Sequence, residues 1–166
     1  TRILAASAVG SLREEIKPGN LVFPDQFIDF TRHRNLTFFT EKVVHTPMSM
    51  PYNKHLTDIL CKTCDELKFE YNKGVTVITI EGPRFSTKAE SHMFRSWGAD
   101  IINMSTCPEV ILANELGIPY QTIAMSTDYD CWKDDEEPVT FEMIMERMKE
   151  NTEKVKTLLV KVIGRI

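Results

Sequence analysis

Short runs of branched apolar residues recur along this chain, each followed by a break and then by a stretch of helical period. The clearest is VTVITI, residues 75–80, cut off by Glu81-Gly82-Pro83. Comparable runs occupy residues 3–8, 20–29, 101–102 and 120–125. Between and after them lie four helical patterns. Asn53 caps one that runs to about Leu67, with Leu56, Ile59, Leu60 and Leu67 on one face. Thr87 or Ser86 caps a second, which Gly98 closes. Pro108 opens a third, closed by Gly117, and Thr140 caps a long last one whose apolar face carries Ile144, Met148, Val155, Leu158, Leu159 and Val162. Strands alternating with helices restrict the chain to α/β packing, a mixed central sheet flanked by helices. Smaller readings go with this. Val9-Gly10-Ser11 is a turn after the first strand, and Pro24 marks an edge or bend in the second. Residues 31–44 form a loop excursion, and Gly74 ends the connection into the third strand.

A chain of 166 residues is long enough for one domain with a real core, spanning residues 1–166. The formal net charge of -4 argues against binding a nucleic-acid backbone, which needs a basic face. No apolar run approaches the roughly 20 residues that span a bilayer. Cys61 and Cys64 form a CxxC, but it sits in a helical pattern with no second pair, so both read as core or boundary cysteines. The chain starts without Met and runs directly into an apolar strand, so an N-terminal portion of a longer protein is expected to precede it.

In α/β packing, ligands gather at the C-terminal ends of strands. Unusual polar residues stand at those positions. Ser7-Ala8-Val9-Gly10-Ser11 could bring backbone N–H groups and a hydroxyl to an anion, or be a turn only. Glu81 to Ser86 group a carboxylate, a guanidinium, a ring and a hydroxyl. The plainer alternative there is a strand-to-helix turn with Ser86 as cap and Arg84 paired to Glu81. Met104 reads as core filler and Ser105 or Thr106 as a cap. Asp128 and Asp130, at i and i+2 on a strand end, can face the same side and bind an amine or hold a proton. No histidine or third carboxylate joins them in register, so no metal site is expected. The acidic residues 134–137 read as solvated loop charges, and His45 stands alone before Pro47.

Taken in order, SAVGSLREEIKPGNLVFPDQFID, VITIEGPRFSTKAESHMFRSWGADIINMSTCPEV and IAMSTDYDCW resemble the methylthioadenosine branch of the trimeric purine nucleoside phosphorylases. The resemblance covers nearly the whole chain, and EGPRFS and TDYD at this spacing are its most specific pieces. It implies a nucleoside phosphorylase fold with its N-terminal part absent. It also implies cleavage of an N-glycosidic bond by inorganic phosphate, with no organic cofactor and no metal, by a cytoplasmic homotrimer of purine and methionine salvage. By position, Ser7, Ala8 and Ser105 would hold phosphate. Phe85, Ser86 and Thr127 would line the base pocket, and Met104 would pack on the ribose. Asp128 and Asp130 would address the adenine N6/N7 edge, with Asp130 the candidate proton donor. His45 would reach a neighbouring subunit's site, while Phe141, Ile144 and Met145 would line a methylthio pocket. An apolar tail wants an apolar cavity, and an exocyclic amine wants a carboxylate. Both favour 5'-methylthioadenosine as substrate over adenosine, inosine or methylthioinosine. The family's glycine-rich phosphate loop and Arg-His phosphate pair do not occur here, and His33 lies in the loop excursion. Half of the phosphate site is therefore missing, which implies that this stretch alone is inactive. A non-catalytic scaffold retaining the fold is the remaining alternative.

Overall fold

The computed structural model describes residues 1–134 and 140–166, leaving aside the side chains of Phe141, Met143, Glu146 and Glu150. Five strands and four helices alternate in part: β1 (Ile3–Ser11), β2 (Leu21–Phe30), α1 (Lys54–Leu67), β3 (Tyr71–Ile80), α2 (Lys88–Ser96), β4 (Ile101–Asn103), α3 (Thr106–Glu115), β5 (Tyr120–Asp128) and α4 (Phe141–Ile163). The sheet is mixed, as expected, and it closes on itself in the order β1-β4-β3-β2-β5. β1 runs parallel to β5, and β3 lies parallel to both β2 and β4. β1–β4 and β2–β5 are short antiparallel contacts.

Alternation along the strands sorts the core, because successive side chains point to opposite faces. One buried cluster draws on all five strands and α3, through Val9, Val22, Val77, Ile101, Ala124 and Val110 among others. Their neighbours face outward. Leu21, Phe23, Ile123 and Met125 pack under α1 and α4 with Leu60, Val155 and Leu158. Ile78, Ile80 and Ile102 pack under α2 with Phe94. Asn53 caps α1, its side chain accepting the Leu56 N–H. Cys61 and Cys64 are free and buried on that helix, and burial pushes the Cys64 thiol up to about 12.

Several local expectations need correction. Ser11 belongs to β1, not to a turn: the strand continues because Gly10 and Ser11 pair with Ile102 and Ile101. Gly74 lies inside β3 with φ 69, at the irregularity where β2 shifts register near Pro24. Pro24 marks that bend, just past Leu21 and Val22 where β2 pairs with β5, and its carbonyl accepts Gln121 Nε2–H at 3.0 Å. Thr87 alone caps α2, in a capping box with Glu90. Arg84 pairs with Glu90 and not with Glu81, because the chain turns away at Gly82. Regular turns of α3 begin at Pro108, with Cys107 extended at ψ 138. Asp134 is exposed and paired with Lys88, whereas Asp135, Glu136 and Glu137 of the expected acidic loop lie outside the described residues.

Candidate active site

One cavity of about 510 Å³ opens where residues 6–10 of β1 meet the C-terminal ends of β3, β4 and β5. Its volume falls in the range of small-molecule sites. Each strand end contributes a different chemistry.

From β1 and the end of β4 come hydroxyls. Ser7 Oγ and Ser105 Oγ lie 2.8 Å apart on the cavity wall. Asn103 Nδ2 donates to Ser7 Oγ at 3.0 Å and to Thr106 Oγ1 at 2.7 Å. Thr79 Oγ1 in turn donates to Asn103 Oδ1 at 3.0 Å. A buried amide thus orients the hydroxyl pair, and its own carbonyl is satisfied. Ser105 stands at the N-cap position of α3 without a side-chain capping bond, so its hydroxyl is left to the cavity. Asn103 was missed in the sequence. The signal available was a polar residue at a strand end in an otherwise apolar run, which is weak in isolation.

From the end of β5 comes a carboxylate pair. The register of β1 against β5 shifts between Val9 and Gly10, which sets Gly10 opposite Asp128. A Cβ at Gly10 would stand 3.0 Å from Asp128 Oδ1 and 3.1 Å from Ile102 Cγ2, so any larger residue would press on the carboxylate in this position. The two aspartates reach the cavity by different routes. Asp128 ends the strand, whereas Asp130 turns in through a left-handed conformation, φ 52, with its N–H donating to Asp128 Oδ1 at 2.7 Å. The i, i+2 alternation of a strand does not therefore bring them together. Thr127 Oγ1 donates to Asp128 Oδ2 at 2.7 Å. Burial pushes the Asp128 carboxyl above its ordinary value and outweighs these hydrogen bonds, which act the other way.

From the turn after β3 come Pro83, Phe85 and Ser86. Ser86 Oγ donates to both Asp130 oxygens, at 2.7 and 2.9 Å. Gly82, at φ 71, admits the Met104 side chain, since a Cβ there would stand 2.6 Å from Met104 Sδ. Ile144 of α4 adds an apolar patch.

Ser7, Ala8, Phe85, Ser86, Met104, Ser105, Thr127, Asp128, Asp130 and Ile144 therefore line one cavity. His45 does not: it is exposed within the excursion between β2 and α1. Met145 is 46% exposed and outside the lining, and the Phe141 side chain lies outside the described residues. Among the described residues, no cluster of three His, Cys, Asp or Glu side chains could hold a metal ion.

The chain that builds this site has relatives among known proteins. The pattern of the phosphorylase superfamily matches residues 1–164, and the chain belongs to that family. Within it, the chain is 48% identical to an S-methyl-5'-thioadenosine phosphorylase of Drosophila melanogaster and 49% identical to one of Xenopus tropicalis. All of this chain is covered in both alignments, with 60% and 61% of the relatives. The chain thus spans about three fifths of the length of the curated relatives it matches. A methylthioadenosine phosphorylase from Schistosoma mansoni, solved with adenine, superposes with a TM-score of 0.94 at 35% identity, covering 100% of this chain and 66% of that one.

Proposed function

We propose that the full-length protein cleaves 5'-methylthioadenosine with inorganic phosphate, releasing adenine and 5-methylthioribose-1-phosphate. The observation that carries this reading is the single cavity that joins the Ser7–Ser105 hydroxyl pair to the Asp128–Asp130 carboxylate pair. An oxyanion can accept from the first, and a purine with an exocyclic amine can donate to the second. The relatives at 48% and 49% identity carry that activity in their names.

In the reaction the C1'–N9 bond breaks with its electrons passing to the purine, and a phosphate oxygen bonds to C1'. A proton delivered at N7 makes the purine a better leaving group. We assign that proton to Asp128, which ends β5 on the cavity wall and whose carboxyl is raised above its ordinary value by desolvation. The Asp130 carboxylate, already accepting from Ser86, is assigned to the exocyclic amine. This exchanges the roles expected from the sequence. Met104 supplies a soft floor for the ribose, and Ile144 the apolar surface for a thioether. The remainder of the phosphate site belongs to residues outside this stretch. On the same reading, the protein is a cytoplasmic homotrimer of purine and methionine salvage in which His45 reaches a neighbouring site. Phosphate is its co-substrate, and it uses no organic cofactor.

A phosphorolysis panel on the full-length protein tests the reading. 5'-Methylthioadenosine should be cleaved with a higher kcat/KM than adenosine, and inosine hardly at all. Ile144→Asp should hurt the thioether substrate more than adenosine, because a 5'-hydroxyl can hydrogen-bond to the new carboxylate and a thioether cannot. Preference for inosine, or equal losses for both substrates in the variant, would refute the assignment.

A further inference from the structure

Glu81 and the basic run Arg32-His33-Arg34 lie outside the cavity, yet they are joined just behind it. Arg34 is 18% exposed at its side chain and reaches under two strand ends at once. Its Nη1 donates to the Met104 carbonyl at 2.8 Å and to the Cys107 carbonyl. Its Nη2 donates to the carbonyls of Glu81 at 2.9 Å and Ile80 at 3.4 Å. Nε faces Glu81 Oε1 at 3.4 Å, while Glu81 Oε2 accepts the backbone N–H groups of Arg32 and His33 at 2.6 and 3.3 Å. One planar fork thus spans the end of β3 and the stretch from Met104 into the first turn of α3. Ile80, Met104 and Ser105 on those segments line the cavity. Ammonium groups cannot reproduce this span, because a lysine offers one point charge and no fork.

We infer that Arg34, anchored by Glu81, is a positioning residue: it sets the gap between the β3 and β4 ends, and so the placing of Met104 and Ser105 against bound nucleoside and phosphate. This rests on the functional reading above. The guanidinium touches backbone carbonyls and not the cavity, so its effect passes through geometry. Small misplacements of binding groups are costly, up to roughly 100-fold in rate for about 1 Å.

The test uses the full-length protein with Arg34→Ala and Arg34→Lys. We expect kcat/KM for 5'-methylthioadenosine to fall roughly 10-fold or more in both, mainly through KM for nucleoside and phosphate. Adenine affinity by calorimetry should weaken in parallel. Arg34→Lys keeps the charge and the aliphatic stem, so it decides the matter should Arg34→Ala not fold. Wild-type KM, kcat per folded molecule and adenine affinity in Arg34→Lys, with only Tm lowered, would overturn the inference and leave Arg34 as a structural clamp. A wild-type protein that binds adenine but cleaves no nucleoside would refute the functional reading alone, since the variants' adenine affinities would still decide the role of Arg34. A wild-type protein that does neither would refute both.

Discussion

At the residue scale, Asp128 carries a conflict between stability and chemistry. Burial raises its carboxyl above the ordinary value. A group whose folded pKa is raised gives stability that is fully present below the unfolded pKa and lost as pH rises through the folded one. Ionising this carboxyl as pH rises therefore works against the ligand-free fold. Asp128→Asn removes that charge, and the Thr127 hydroxyl can turn to the Val9 carbonyl, which it already faces at 3.2 Å, while accepting from the new amide. The variant should match or exceed the wild-type Tm at pH 7. Any gain should vanish near pH 3, where the carboxylate is protonated in both states. Turnover of 5'-methylthioadenosine should drop roughly 10²–10⁴-fold, as for a lost general acid. Asp130→Asn should instead shift purine preference, with a smaller loss of turnover. A larger loss at Asp130, steepening with the basicity of the leaving purine, would return the proton to that residue.

At the scale of elements, the start of α2 shows how one turn serves both fold and site. Thr87 Oγ1 accepts the Glu90 N–H, and Glu90 accepts the Thr87 N–H at 2.7 Å. Arg84 holds Glu90 through two contacts of 2.7 Å. That guanidinium, helped by the capping bonds, pulls the Glu90 carboxyl down to about 2. A depressed carboxylate contributes stability above its unfolded pKa, and this is lost as pH falls through the folded value. The pairing is screened, because the Arg84 side chain is 65% exposed. Thr87→Ala should cost about 1 kcal/mol in urea unfolding. With the cap supplied by Thr87, Ser86 is left to bond Asp130. The variant should also weaken adenine binding, since it loosens the turn that carries Phe85 and Ser86. Unchanged stability would mean that Arg84–Glu90 alone holds the turn. The sequence narrowed the cap to Thr87 or Ser86, but choosing between them needed the distance to Asp130, 44 residues away.

At the scale of the whole molecule, residues 31–53 form no helix or strand, a long excursion for an α/β chain. Leu36, Phe38, Val43 and Met50 stand exposed on it, Val43 at 81%. Apolar groups concentrated on one excursion suit contact with another surface. A second copy of the full-length chain, receiving His45 near its cavity, is the occupant on the proposed reading. His45→Ala and Asp128→Asn should then each be weak alone. Co-expressed, they should regain part of the activity, because mixed assemblies contain some sites with both residues intact. An active monomer in sedimentation, or no regain, would remove His45 from the site.

The order of strands and helices, the mixed sheet and most of the cavity lining were legible in the chain, because apolar period and strand-end polarity are local properties. Closure of the sheet was not, since it depends on β2 meeting β5 across about a hundred residues at Leu21 and Met125. The partner of Arg84, read as Glu81 in the plainer alternative, is Glu90, and those of Arg34 had no sequence signal, for any carboxylate or carbonyl within reach serves a guanidinium equally well until the backbone chooses. The environments of the two aspartates belong to the same group. TDYD supplied both carboxylates, but only the fold set Asp128 against Gly10 and turned Asp130 toward Ser86, and desolvation and hydrogen bonding are set by those neighbours.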